Sequence, residues 1–182
     1  LLIFTGLLVS IGAGCSQLFY CKLFRLETAS IGSSSSFSRE LLDGKFGTFE
    51  NYDLFIRVVA VWDSNNPKRL ANNAYSITIS QRSQKKVTDT LLIDSVDVTF
   101  LPSGEHHTVL RHSIELVKGY NVPGPRVITR FSSIVIPPDV SAIEISFAAR
   151  QAARAAEAAQ SYTVKLVRFE GVVRKLGHVE ID

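Results

Sequence analysis

From about Phe46 onward the chain is dominated by short apolar runs with a two-residue period, cut at intervals by Gly, Pro and Asn. That combination leaves few options. Period two sends alternate side chains to opposite faces of a strand, and frequent turns fold each strand back on its neighbours. Tyr75-Ser-Ile-Thr-Ile-Ser80 alternates apolar and polar residues as a half-buried strand does, and Ile143, Ile145 and Phe147 repeat the signature against Glu144, Ser146 and Ala148. Leu54 to Trp62 is apolar on both faces, the mark of a central strand. Val96, Val98 and Phe100 share one parity, and Leu101-Pro-Ser-Gly-Glu105 supplies a turn. The return run then places Leu110, His112, Ile114 and Leu116 on one face, so a β-hairpin is expected here. Val127 to Ile136 and Tyr162 to Val173 complete the set, and the adjacent Leu166 and Val167 predict a bulge in the last strand.

About seven short strands at this spacing predict an all-β fold, an immunoglobulin-like antiparallel β-sandwich, with a β-barrel as the alternative. Asn65-Asn-Pro67, Val122-Pro-Gly-Pro125 and Pro137-Pro138 are the turns that punctuate it. The Cys…Trp…Cys spacing of true immunoglobulin domains is absent, because the only two cysteines, Cys15 and Cys21, precede the body. One segment departs from the pattern. Ala148 to Gln160 holds eight Ala in thirteen residues and no Gly, Pro or β-branched residue, which predicts one short helix between the last two strands.

The amino-terminal part reads differently. Leu1 to Cys21 contains no charged side chain, and Leu1 to Gly14 has the composition of the apolar h-region of a secretory signal. Small residues, Ala13 and Gly14, stand directly before Cys15, with Ser16 and Gln17 after it. This segment resembles a bacterial lipoprotein signal, although Gly12 stands where those signals usually carry Leu. The resemblance implies cleavage before Cys15 and diacylglycerol, with palmitate-type chains, on its thiol. It also implies a bacterial cell-envelope protein, membrane-anchored and extracytoplasmic, with Ser16 permitting the outer membrane in diderm cells. An uncleaved membrane-spanning helix and a core segment that merely looks like a signal are the alternative readings of these uncharged residues.

Residues 15–45 are then expected to hold the lipid-attachment Cys15 and a tether. Thr28 to Ser38 has six Ser and one Gly in eleven residues, the makings of a flexible linker. The β-sandwich domain is expected over residues 46–182. If Cys15 is acylated, Cys21 stays a single thiol and the body has no disulfide.

The chain offers little for catalysis. His106, His107 and His112 fall within seven residues, yet an extended strand spreads His106 and His112 about 20 Å apart, too far for one metal ion. His112 shares parity with Leu110 and Ile114, which predicts a buried imidazole. Asp94 and Asp97 take opposite parity in a strand, and a turn or bulge role is expected for Asp94. No nucleophile elbow, phosphate loop, dinucleotide-binding glycine pattern or zinc-protease motif occurs. The reading is therefore of a non-enzyme, with no cofactor and no metal. Twenty basic residues against 17 acidic ones give a net charge of +3, too slight for a dedicated nucleic-acid binder.

What remains is binding or assembly. Lys165, Arg168, Arg174 and Lys175 give the last strand a positive cast and are the candidate binding residues, suited to an anionic partner such as lipid headgroups or a polysaccharide. The expectation is a non-catalytic binding or structural module that meets the membrane and a protein partner in the envelope. A glycan-binding module is the alternative, and it would need Tyr52, Tyr75 and Tyr120 exposed as a platform. Trp62 shares parity with Ile56 and Val58 and is expected in the core.

Overall fold

In the computed structural model the described residues are 17–27, 44–49, 52–63, 66–82, 90–117, 126–152 and 159–175. Among these, 17–23, 62–70, 72 and 170–175 are described by backbone course alone. Eleven strands, and no helix, occur in the described residues: β1 (Gln17–Leu26), β2 (Gly44–Phe49), β3 (Tyr52–Asp63), β4 (Asn66–Arg82), β5 (Leu91–Leu92), β6 (Ser95–Leu101), β7 (His106–Val117), β8 (Arg126–Phe131), β9 (Ile134–Val135), β10 (Ala142–Gln151) and β11 (Gln160–Lys175).

All pairings are antiparallel, and one hydrogen-bonded path runs β1-β11-β10-β6-β7-β8-β4-β3-β2, with β5 beside β10 and β9 beside β4. The path doubles back at β7. Ser95–Thr99 of β6 pair with the first half of β7, whereas Arg111–Val117 pair with β8. Between the halves the register shifts across Arg111 and Ser113, with His112 as the extra residue. A bulge of this kind bends and twists its strand, and so lets one strand serve two layers. The first layer is β1-β11-β10-β6 and the second β8-β4-β3-β2.

At the other side the two free ends of the path meet, β1 packing against β3 and touching β2, so that the sheet is nearly closed into a barrel. The all-β expectation holds, within the sandwich or barrel class. The core between the layers is built from the period-two residues. Leu54, Ile56, Val58, Tyr75, Ile77 and Ile79 come from the second layer, and Phe24, Val96, Val98, Phe100, Ile143, Ile145 and Leu166 from the first.

Several expectations change in detail. The body begins before residue 46, because Gln17–Leu26 is a strand paired with β11 along its whole length and Phe24 lies fully buried. Neither tether nor membrane helix describes those residues. The Ser-rich stretch itself lies outside the described residues. The Ala-rich segment is strand at both ends: Ala148–Gln151 extend β10 and Gln160 opens β11, while 153–158 lie outside the described residues. Propensity yields here to pairing, since Ala148 and Ala149 find partners in Ser161 and Gln160. No bulge occurs at Leu166-Val167, where the register with β10 runs unbroken.

Candidate functional site

The candidate binding residues of the last strand separate into two pairs. Lys165 is exposed, and its Nζ donates to Glu27 Oε1 at 2.8 Å across the gap to the end of β1. Arg168 is turned to the body: Nη1 donates to the Pro137 carbonyl at 2.7 Å and Nη2 to the Ile136 carbonyl at 3.3 Å. Its guanidinium lies over the Phe24 ring, 4.9 Å from the centroid, and 5.9 Å from that of Tyr75. Those contacts make Arg168 a clamp between β11 and the Ile136–Ser141 segment. Its planar donors and weak hydration suit it to carbonyls and rings at once. Arg174 and Lys175 stand at the far end of β11, in register with Leu18 and Gln17 of β1. Cys15, the expected lipid-attachment residue, lies outside the described residues, two positions before β1 begins.

The histidines are placed by the β6–β7 hairpin. His107 is half-buried, its ring centroid 4.7 Å from that of Phe100, and its Nε2 is 2.9 Å from Glu105 Oε1. Exposed His106 has Nε2 3.7 Å from Asp97 Oδ1 and Nδ1 3.4 Å from Thr99 Oγ1. His112 is exposed, not buried. Val109, rather than Leu110, carries the inward parity in the first half of β7, and the bulge then resets the alternation. Leu110 is accordingly 64% exposed.

Asp94 and Asp97 do not form a pair. Asp94, exposed between β5 and β6, has Oδ1 3.0 Å from Arg111 Nη1 and Oδ2 accepting from Arg150 Nη2 at 3.1 Å. Its carbonyl accepts from the Arg111 amide at 2.9 Å. Asp94 thereby ties the loop to β7 and β10 beside the bulge. Asp97 accepts from Thr108 Oγ1 at 2.7 Å, across the hairpin. Each carboxylate is held by its own cross-strand partners, an arrangement that orders strands and presents no shared proton. Among the described residues no His, Cys, Asp and Glu gather in a group of three or more able to hold a metal ion.

Of the three tyrosines proposed as a sugar platform, Tyr52 and Tyr75 are buried, and Tyr120 lies outside the described residues. The alternation around Tyr75 already pointed inward. A tyrosine that sequence reasoning passed over proves more informative. Tyr162 of β11 stacks on Phe147, centroids 5.3 Å apart, meets Phe46 of β2 edge-on at 5.9 Å, and donates its hydroxyl to the Thr48 carbonyl at 3.1 Å. Burial raises its phenol pKa above the ordinary value of 10.0. Together with Arg168, it fastens β11 to the opposite layer.

The described side chains thus present paired charges and cross-strand ties, and Arg174 and Lys175 lie, by backbone register, beside the Gln17 end of β1. No family model, no curated protein and no solved structure matches the chain.

Proposed function

We propose that this chain is a membrane-anchored extracytoplasmic lipoprotein whose β body serves as a non-catalytic binding or structural module of the bacterial envelope. One observation carries the reading: an uncharged, apolar Leu1–Gly14 segment ends in Ala13-Gly14 immediately before Cys15. The position of β1 sets what such an anchor would join. The strand opens at Gln17, so an acyl group on Cys15 would join the folded body through two residues, at most about 7 Å of chain. Such an anchor fixes which end of the body meets the membrane. The arginine partners of Asp94, the Thr108 bond to Asp97 and the His107 contact of Glu105 favour a structural role for the carboxylates over a catalytic one.

Intact mass of the protein made from its complete gene, wild type beside Cys15→Ala, tests this. The wild-type species is expected to begin at Cys15 and to carry added acyl mass, and the variant to carry none. A wild-type chain that retains Leu1–Gly14 and gains no mass would overturn the proposal.

A further inference from the structure

At one end two strand pairs continue past the pairing of their neighbouring strands, and their placement together gives that end a common chemistry. The first ribbon is Gln17–Leu23 of β1 with Phe169–Lys175 of β11. β10 reaches only as far as the Ala142–Val167 pair, so beyond it β11 pairs with β1 alone among the described residues. The second is Val61–Asp63 of β3 with the start of β4, closed by the Trp62–Leu70 and Asp63–Asn66 pairs. β8 and β9 join β4 only from Ala74 onward.

Two independent ties show that both ribbons point the same way. A Cβ on Gly44 would collide with the Leu26 side chain, and Gly44 is in register with Ile56 and through it with Ile79. Two residues earlier on β1, the Phe24 ring meets Tyr75, four residues earlier on β4, with centroids 5.3 Å apart. Walking backward along β1 therefore follows β4 backward. On β11, Tyr162 bonds Thr48, which is in register with Asp53 and so with Arg82, while Arg168 lies over Tyr75. Walking forward along β11 also follows β4 backward. Lys175, Gln17, Asp63 and Asn66 consequently share one end of the molecule.

The residues so gathered are Lys22, Lys68, Arg69, Arg174 and Lys175, against the carboxylates Asp63 and Glu170, with Phe19, Tyr20, Phe169 and the single tryptophan, Trp62. Aromatic and basic residues together are what a bilayer–water interface selects: amphipathic rings settle at headgroup depth, and cations are drawn to an anionic leaflet. The same end lies two residues from Cys15.

We propose that this double-ribbon rim is the membrane-docking face of the protein and that its partner is a bilayer carrying anionic phospholipid headgroups. The proposal rests on the lipoprotein reading for the anchor at Cys15. Acyl chains in the bilayer hold Cys15 at headgroup level and bring Gln17, with Lys175 in register beside it, within about one Debye length of the lipid phosphates. The rim then holds the body upright on its anchor and leaves the opposite end, where Phe49 pairs with Tyr52 and Val117 with Arg126, for contacts in the aqueous phase.

Trp62, the single tryptophan, whose parity suggested the core and whose side chain lies outside the described residues, is placed by backbone register in the second ribbon and serves as the first depth reporter. The full-length lipidated protein is placed on vesicles of phosphatidylcholine with and without phosphatidylglycerol, with bromine carried high on the acyl chains as the quencher. Loss of Trp62 emission is expected on the anionic vesicles. It should be relieved by 1 M salt (roughly a 3 Å Debye length) and by the combined variant Lys68→Gln, Arg69→Gln, Arg174→Gln, Lys175→Gln. A second reporter, Gln17→Trp in a Trp62→Phe chain, guards against a shielded indole. Emission that persists from both reporters while the protein stays on the vesicles overturns the rim, as it would if the rim served a soluble polyanion instead. Intact mass of the same samples separates the two readings. An unacylated Cys15 with salt-sensitive quenching sinks the lipoprotein and keeps the rim, and an acylated Cys15 without quenching does the reverse.

Discussion

The two layers are joined along two seams, and by different means. At β7 the backbone itself makes the crossing. The strand is hydrogen-bonded to β6 through Leu110 and to β8 from Arg111, with the bulge at His112 turning the corner. At the opposite seam side chains dominate: the Phe24–Tyr75 ring pair, Arg168 reaching two carbonyls and both rings, and Tyr162 bonded to Thr48. A corner made by the backbone tolerates almost any exposed residue at its apex. A seam made by side chains depends on the identity of each.

Truncation breaks this comparison most sharply. Phe24 is fully buried at the seam, so Phe24→Ala removes a ring from a packed core and leaves a cavity. A loss of about 3–5 kcal/mol in unfolding free energy is expected, read by denaturant titration with an unchanged m-value. His112→Ala, at the exposed apex of the corner, is expected to stay within about 0.5 kcal/mol. Equal losses at the two sites would mean that the imidazole, and not the bulge geometry, holds the corner.

Arg168 sharpens the contrast between charge and shape at the seam. Arg168→Met keeps much of the apolar stem over Phe24 and Tyr75 but leaves the carbonyls of Ile136 and Pro137 without its donors. Bonds from a charged donor are worth about 1.5–3 kcal/mol, and a loss of that order is expected, again by denaturant titration. A neutral result would show that water replaces the guanidinium at both carbonyls, and that packing alone closes the seam.

How much of this was legible follows from where the period-two signal is pure. In β4 and β10, Ile77 and Ile79, and Ile143 and Ile145, declare their inward face without interruption, and the structure buries them. In β7 the signal is split by the bulge. Read as one run, Leu110, His112 and Ile114 form a false face, because the inward residue before the corner is Val109. β1 was hidden for another reason. Its uncharged first half continues an apolar stretch and looks like part of an anchor, although Phe24 and Leu26 alternating with Arg25 carry a strand signal. At the candidate site the sequence shows that Lys165, Arg168, Arg174 and Lys175 share a strand. Only three-dimensional placement separates Lys165 and Arg168, tied to Glu27 and to two carbonyls, from the Arg174–Lys175 end.

The subtlest effect belongs to Tyr162. Tyr162→Phe keeps the stack on Phe147 and the edge contact with Phe46 and deletes only the hydroxyl that donates to Thr48. The expected loss is about 0.5–1.5 kcal/mol. Its pH dependence identifies it. Burial raises the folded-state pKa above the unfolded value near 10, so over that range the folded chain holds more protons than the unfolded one. Stability contributed by the protonated phenol is thus fully present below about pH 10 and declines as pH rises through the folded value. Wild type should lose stability across this alkaline window more steeply than Tyr162→Phe, and the difference between the two should shrink there. Parallel curves would mean that the phenol titrates alike in both states, and coincident curves that β2 is held to β11 by the rings of Phe46, Phe147 and Tyr162 without help from the hydroxyl.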